Sequence, residues 1–589
     1  MKEKIKETIL KTIKNLQEEK SLPFFEIDNF QVDYPENEIY GDYFTNVALL
    51  IGKKISKNPL EVANLIKAKI ESQNLNIFEK IEVKEPGFIN FFLKKEIFIK
   101  ELKKILKEKQ NYQKNKRLKK KKLVIDYSSP NVAKVFGIGH LRSTIIGQAI
   151  YNLYKFLGWD CVGINHLGDW GTQFGNLIFA LKKWGNKKEN YTIEDLEKLY
   201  IKFHQESQKN EKLIEEGRNW FKKLEFGDKE ALKIWKKILK ISLKEFNSIY
   251  RLLNVKIDYQ IGESFYKDKV KEVLRELQKT QFLIESQGAL IFQYPENELP
   301  PAMILKSDGT TTYFLRDLAA MKYRLEKWKP DLIVYEVGSD QILHFKQLFK
   351  AVKLLNWDQK ICKKEVYFYH LFHGLYITKE GKLSTRKGRT FHLIDILEEA
   401  IERAEKILEK SEVKKNLSKK EKEKIAKIVG IGAIKYNDLK QHSSKEILFD
   451  WEKILNLKGD SGPYLQYTYV RCRGVLRKGK KIQEKKIKNL LSSLAFGIHN
   501  LTKEENNILK EIYKFPEIIQ EAAEKFSPNL ICNYIFNLAQ KYNYFYDTQP
   551  ILKAQKEELK IFRLALTMAV AQVLKTSLNL LGIAVPEKM

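Results

Sequence analysis

Residues 122–141 read Lys-Leu-Val-Ile-Asp-Tyr-Ser-Ser-Pro-Asn-Val-Ala-Lys-Val-Phe-Gly-Ile-Gly-His-Leu, and the fold turns on them. Leu123-Val124-Ile125 is a short apolar run with β-branched residues, and Asp126 to Asn131 breaks it with turn formers. Beyond Gly137-Ile138-Gly139-His140, the residues Leu141, Ile145, Ala149 and Leu153 recur four apart, as on one face of a helix. Gly158 stands where a C-cap glycine is expected, and Cys161-Val162-Gly163-Ile164 resumes a strand. The stretch predicts a β-α-β unit whose helix begins at a glycine-rich turn. Such a start presents unpaired N–H groups and the positive end of the helix dipole, which suits a phosphate. Gly137 and Gly139 let a ligand approach the backbone, and His140 adds a donor at the same place.

A second half of similar pattern lies downstream. Ser307-Asp308-Gly309-Thr310 makes a turn, and Thr311 or Thr312 can cap the helix after it. On that helix Tyr313 and Asp317 are four apart and share a face, with Arg316 on a different one. Leu332-Ile333-Val334-Tyr335-Glu336-Val337 reads as a buried parallel strand ending in Gly338-Ser339-Asp340-Gln341. Open parallel sheets place ligands at such carboxyl ends. Asn165 to Gly175 is another turn-rich stretch at a strand's end. Between the halves, residues 184 to about 258 are polar and helical in pattern, a helical insertion rather than a sustained heptad repeat.

The flanks differ. Residues 1 to about 105 read as a small α/β domain: a helix with Ile5, Ile9, Ile13 and Leu16 on one face, a helix after Asn58-Pro59, and strand-turn-strand over 81–91. The lysine-dominated run 107–122 is the expected boundary. From about residue 400 the chain turns almost wholly helical. At 589 residues it should hold several domains. Lysine and arginine number 106 against 75 acidic residues, a net charge of +31, which favours a polyanionic partner. A general bias toward Asn, Ile and Lys gives the same balance, so charge alone does not decide it. The four cysteines are scattered without a Cys-x-x-Cys, which indicates neither zinc nor disulfides and suits a reducing cytoplasm. The first residues form a mixed-charge helix start rather than a signal peptide, and no uninterrupted apolar run reaches membrane-spanning length. A soluble, cytoplasmic protein is expected.

Ser129-Pro130-Asn131-Val132-Ala133-Lys134 followed by Gly139-His140-Leu141-Arg142-Ser143-Thr144 resembles the nucleotide-binding signature of the arginyl-tRNA synthetases, a class I aminoacyl-tRNA synthetase family. The family's signature ends in His-x-Gly-His; its first histidine is Gly137 here. Asn165-His166-Leu167-Gly168-Asp169-Trp170-Gly171 resembles the same family. So do Gly41 to Ala48, Lys382-Leu383-Ser384-Thr385-Arg386, the stretch Gly462-Pro463-Tyr464-Leu465-Gln466-Tyr467, and the last residues. The resemblance covers essentially the full length.

It implies an α/β fold: a Rossmann-type parallel-sheet catalytic domain over 119–400 with the helical insertion at 184–258. A small N-terminal α/β domain that contacts tRNA would span 1–118, and an all-helical anticodon-binding domain 401–589. It implies ATP-dependent ligation of L-arginine to the 3′ end of arginine tRNA through an arginyl-adenylate. By this resemblance Lys134, Gly137, Gly139 and His140 bind ATP, with Lys134, His140, Lys382, Ser384, Thr385 and Arg386 carrying the chemistry. Asp126, Asn131, Tyr313, Asp317 and Gln341 would bind arginine, and Tyr464, Tyr467 and Arg471 the tRNA. ATP enters with Mg²⁺ as substrate, with no tightly bound cofactor, no metal held by the protein, no membrane and a monomeric chain. A planar guanidinium calls for carboxylate partners, which agrees with the acidic residues in this set. Two other readings stay open: a small nucleotidylyltransferase, which shares the glycine-histidine turn, and a non-catalytic RNA-binding relative, motivated by Gly137.

Overall fold

The computed structural model describes residues 1–27, 29–112, 121–185, 190–378, 381–382, 392–410, 417–479 and 501–589. By internal contacts the chain parts into two units. One comprises Met1–Tyr112, Arg471–Gln520 and Asn537–Leu574; the other comprises Gln113–Val470, Glu521–Phe536 and Lys575–Met589.

The second unit is built on a five-stranded parallel sheet. Its strands and the helices that matter for the site are β1 (Lys122–Asp126), α1 (Gly139–Phe156), β2 (Asp160–Leu167), α2 (Lys229–Leu252), β3 (Tyr259–Gly262), α3 (Tyr313–Trp328), β4 (Leu332–Gly338), α4 (Ile342–Leu354) and β5 (Tyr367–His373). The spatial order is β5-β4-β1-β2-β3, with every pairing parallel. The opening motif folds as its pattern predicts. Leu123, Val124 and Ile125 are fully buried in β1, and Leu141, Ile145, Ala149 and Leu153 form the buried face of α1. Gly158, with φ of +97°, follows the helix end and turns the chain toward β2. Thr312, rather than Thr311, caps α3 by accepting from the Leu315 N–H. The segment between β2 and β3 is helical, over Thr172–Trp184, Ile193–Lys209, Lys212–Glu225 and α2.

Beyond β5 a small three-stranded sheet joins β6 (Tyr376–Thr378), β7 (Gly381–Lys382) and β8 (Ile447–Leu448), with α5 (Lys419–Leu439) between β7 and β8 in sequence. Helix α1 is tied to this region by one buried side chain. Arg142 donates from Nη1 to the carbonyls of Gly374 (2.9 Å) and Lys445 (2.6 Å) and pairs through Nε with Asp438 of α5 at 3.3 Å.

In the first unit, Lys2–Glu18 buries Ile5, Ile9, Ile13 and Leu16. Asn58 caps Pro59–Ser72, and an antiparallel sheet runs in the order Val32–Asp33, Tyr43–Thr45, Phe88–Leu93, Phe78–Lys84. The C-terminal stretch is helical, over Gly462–Lys478, Lys503–Glu524, Asn529–Thr548 and Glu557–Leu580. The last of these is long and apolar enough to cross a membrane by length and composition, and 78% of its apolar window is buried within the protein.

Candidate active site

The loop after β1 is held in an unusual backbone form by its neighbours. Ser128 and Ser129 have φ of +78° and +45°, a costly region for residues with side chains. Side chains on three elements hold them there. The Ser143 hydroxyl accepts from the Ser128 N–H at 2.8 Å, and the Thr144 hydroxyl reaches the Ser128 hydroxyl at 2.8 Å. Asn165 of β2 accepts from the Ser129 N–H at 3.0 Å and donates to the Tyr250 hydroxyl of α2 at 3.0 Å. Asn131 lies beside Gly168, whose carbonyl accepts from Val132 N–H at 3.1 Å. A Cβ on Gly168 would sit 2.4 Å from Asn131 Oδ1, so a larger residue there would push the Asn131 side chain aside.

Helix α1 then opens at Gly139, exposed, with half-buried His140 as its second residue and Lys134 in solvent before it. Burial pushes the His140 imidazole down to about 4. The charges of Lys134 and His373 add to this, while a backbone hydrogen bond with Gly137 opposes it. At neutral pH His140 is therefore an uncharged ring at a helix N-terminus, and Lys134 carries the positive charge.

Side chains alternate across a sheet, so the register sorts the remaining polar residues onto two faces. Asp126 pairs with Tyr335 on one side and Ile164 on the other. Asp126, Tyr335 and His166 consequently share the face covered by α3. Glu336 and His373 share the opposite face, since Gly338 pairs with His373.

The α3 face is rich in acids. Asp317 Oδ2 lies 2.7 Å from His344 Nε2 of α4. Burial alone would raise Asp317, but the His344 hydrogen bond and the charges of His344, His166 and Arg324 hold it below the usual carboxylate value. Asp126 Oδ2 accepts from Arg324 Nη2 at 2.5 Å and Oδ1 from the Ser129 hydroxyl at 3.1 Å. Arg324 is fully buried, its guanidinium 4.8 Å from the Tyr335 ring centre. Glu263 accepts from Arg316 at 2.6 Å. Arg316 does not leave Tyr313 alone as its expected separate face would have it; three residues on, its guanidinium packs 4.9 Å from that ring. Tyr313 is otherwise open, 68% exposed at the start of α3. Gln341 occupies the N-cap position of α4 without a side-chain capping bond, one turn before His344, and its amide lies 3.5 Å from Asp340 Oδ2.

Asp126, Asp317 and the loop carrying Asn131 thus meet at the carboxyl ends of the strands, where α1 also begins. Lys382 lies in β7, paired with Ile377. Ser384, Thr385 and Arg386 fall outside the described residues. On the helix Gly462–Lys478, Tyr464 is half-buried 5.7 Å from Phe536, Tyr467 is exposed, and Arg471 donates to Asn543 at 2.8 Å.

Residue patterns alone did not single out Arg324, His344, Glu263, Glu336 or His373. Glu336 had a signal, as a charge inside an otherwise apolar strand. The others acquire meaning only through partners up to 198 residues away.

Three family models match the chain. The class I (R) tRNA synthetase catalytic domain matches residues 101–451, the DALR anticodon binding domain residues 465–589, and the arginyl tRNA synthetase N-terminal domain residues 3–93. An arginine--tRNA ligase of Alkaliphilus metalliredigens is 41% identical over 562 residues, covering 95% of each chain. One of Halothermothrix orenii is 40% identical and covers 100% of this chain and 99% of its own. The crystal structure of arginyl-tRNA synthetase from Plasmodium falciparum superposes with a TM-score of 0.82 at 29% identity, covering 100% of this chain and 99% of that one. With a catalytic domain, an N-terminal module and a helical C-terminal domain all matched in order, this chain belongs to the arginyl-tRNA synthetases of class I.

Proposed function

We propose that this chain ligates L-arginine to the 3′ end of arginine tRNA, as a cytoplasmic monomer. An arginine carboxylate oxygen attacks the α-phosphorus of ATP and pyrophosphate leaves. The terminal ribose hydroxyl of the tRNA then attacks the arginyl carbonyl and AMP leaves. Side chains need do little covalent work in either step; positioning and stabilisation of phosphate charge carry the rate. Lys134, the Gly137–Gly139 backbone and His140 meet the phosphates from one side, and Lys382, Ser384, Thr385 and Arg386 from the other. Magnesium enters with the triphosphate, held by phosphate oxygens and water.

Asp317 carries this reading. It is ionised, lies at the ligand edge of a parallel sheet, and is partnered by a histidine rather than an arginine. Asp126 and Glu263 are already matched by Arg324 and Arg316. Breaking a buried arginine–carboxylate pair costs roughly 3–5 kcal/mol, whereas exchanging a histidine for a bidentate guanidinium is favourable. Asp317 is therefore the carboxylate that takes the substrate guanidinium, with Tyr313 beside it. Asp126, fixed by Arg324 and Ser129, supplies negative potential from behind. Asn131 and Gln341 hold the α-amino end. The N-terminal module and the helices bearing Tyr464, Tyr467 and Arg471 hold the tRNA, where stacking on tyrosine and arginine–phosphate contact suit unpaired loop nucleotides.

Aminoacylation of purified arginine tRNA with each of the twenty amino acids tests the assignment. Arginine alone should be esterified; charging with another amino acid, or none with arginine, overturns it.

A further inference from the structure

Glu336 is the one charged residue in β4, and it is fully buried. Its Oε1 lies 2.8 Å from His373 Nδ1, and its Oε2 has no hydrogen-bond partner among the described residues. A carboxylate left half-satisfied inside a sheet works against stability, and an apolar residue there would serve packing better. Such a pair calls for a use.

His373 is the last residue of β5, at the same edge of the sheet as the start of α1. Glu336 fixes its ring through Nδ1, which leaves Nε2 as the outward atom. Nε2 has no hydrogen-bond partner among the described residues, and the strand opposite it carries Gly338, whose missing Cβ would stand 4.0 Å from it. The charged and titratable groups around the ring are Glu336 of β4, Asp340 beyond it, His370 of β5, His140 and Arg142 of α1, and Asp438 of α5. Arg142 and Asp438 are paired with each other. Gly137, at the turn before α1, contributes no side chain.

We propose that His373 is a nucleotide ligand of the synthetase site, donating from Nε2–H to a phosphate oxygen of bound ATP, with Glu336 as its positioning residue. The proposal rests on the adenylate-forming reading above and adds a contact from outside the signature loop. Burial works against charge on His373, but the Glu336 carboxylate outweighs it and raises the imidazole above its ordinary value. His140 is driven the other way. Of the two rings, His373 is the one that brings a positive charge to the phosphates.

The test is equilibrium binding of Mg-ATP to the full-length protein between pH 7 and 9, with arginine binding measured in parallel. His373 keeps its proton below its raised pKa and loses it above, so wild-type ATP affinity should fall as pH rises through that value. His373→Gln should weaken ATP about tenfold at pH 7, the scale of one charge-assisted hydrogen bond, and flatten the pH profile. Arginine affinity should be unchanged, whereas a general structural role would move both. Glu336→Gln keeps the ring and one acceptor but removes the charge, so the fall-off should move to lower pH; it decides the matter if His373→Gln does not fold. Unchanged ATP affinity in His373→Gln, or an unshifted profile in Glu336→Gln, overturns the proposal. If the wild type still charges tRNA in that case, the proposed function stands; loss of ATP affinity in His373→Gln in a protein that never charges tRNA would do the reverse.

Discussion

The two faces of the parallel sheet solve opposite problems at one edge. On the α3 face, Asp126, Asp317 and Glu263 face Arg324, His344 and Arg316. On the α1 face, a neutral imidazole, a lysine and a helix N-terminus stand ready for anions. The first face gathers negative charge but neutralises all of it except at one exchangeable position. The second buries its carboxylates in pairs, Glu336 against His373 and Asp438 against Arg142. A cationic amino acid and a polyanionic nucleotide can therefore approach the same edge without competing for the same side chains. What distinguishes a ligand-binding carboxylate from a structural one is its partner, not its position in sequence.

The contrast is broken most severely at Asp317. Asp317→Ala should lower arginine charging by roughly 10³-fold or more, because the ligand guanidinium would be left without its acid. Affinity for tRNA, measured by equilibrium binding, should stay within about twofold. On the other face His140→Ala should lower kcat by roughly 10²-fold, the usual cost of losing one preorganised donor, with little change in the KM for arginine. Arg324→Met tests the structural carboxylate: Asp126 would be buried alone, and the protein should lose about 3–5 kcal/mol of stability in denaturant unfolding. Gly137→His would add a second ring at the helix start and should raise turnover by about tenfold at most. No gain would mean that the glycine costs nothing.

The smallest effect separates the faces by pH. Asp317 has a depressed pKa, so the charge proposed to hold arginine is present above the ordinary carboxylate range and is lost only on acidification through the lowered value. The KM for arginine should stay flat from pH 8 down to 5. A rise in that KM within this window would contradict an ionised Asp317 as the acid of the pocket.

Much of this was legible in the chain itself. The apolar run at 123–125, the four-residue spacing along α1 and the nearly continuous apolar strand at 332–337 are local patterns, and they folded as such. Asp317 and Tyr313 could be placed on one helix face from spacing alone. Their partners could not. Arg324 is one more basic residue on an amphipathic helix until the sheet register brings Asp126 beneath it. His373 looks like a strand-end histidine until β4 and β5 pair and set Glu336 against it. Burial of a charge is a property of the assembled sheet, and the strand pattern hints at it only where a glutamate interrupts an apolar run.

The most direct measurement compares charging of arginine tRNA with arginine and with citrulline, which has nearly the same shape but a neutral ureido group. If Asp317 holds a guanidinium, kcat/KM should favour arginine by roughly 10⁴-fold, the scale at which a buried polar site rejects a ligand lacking its partner. Comparable charging of the two would contradict the assignment of the α3 face as a cation site.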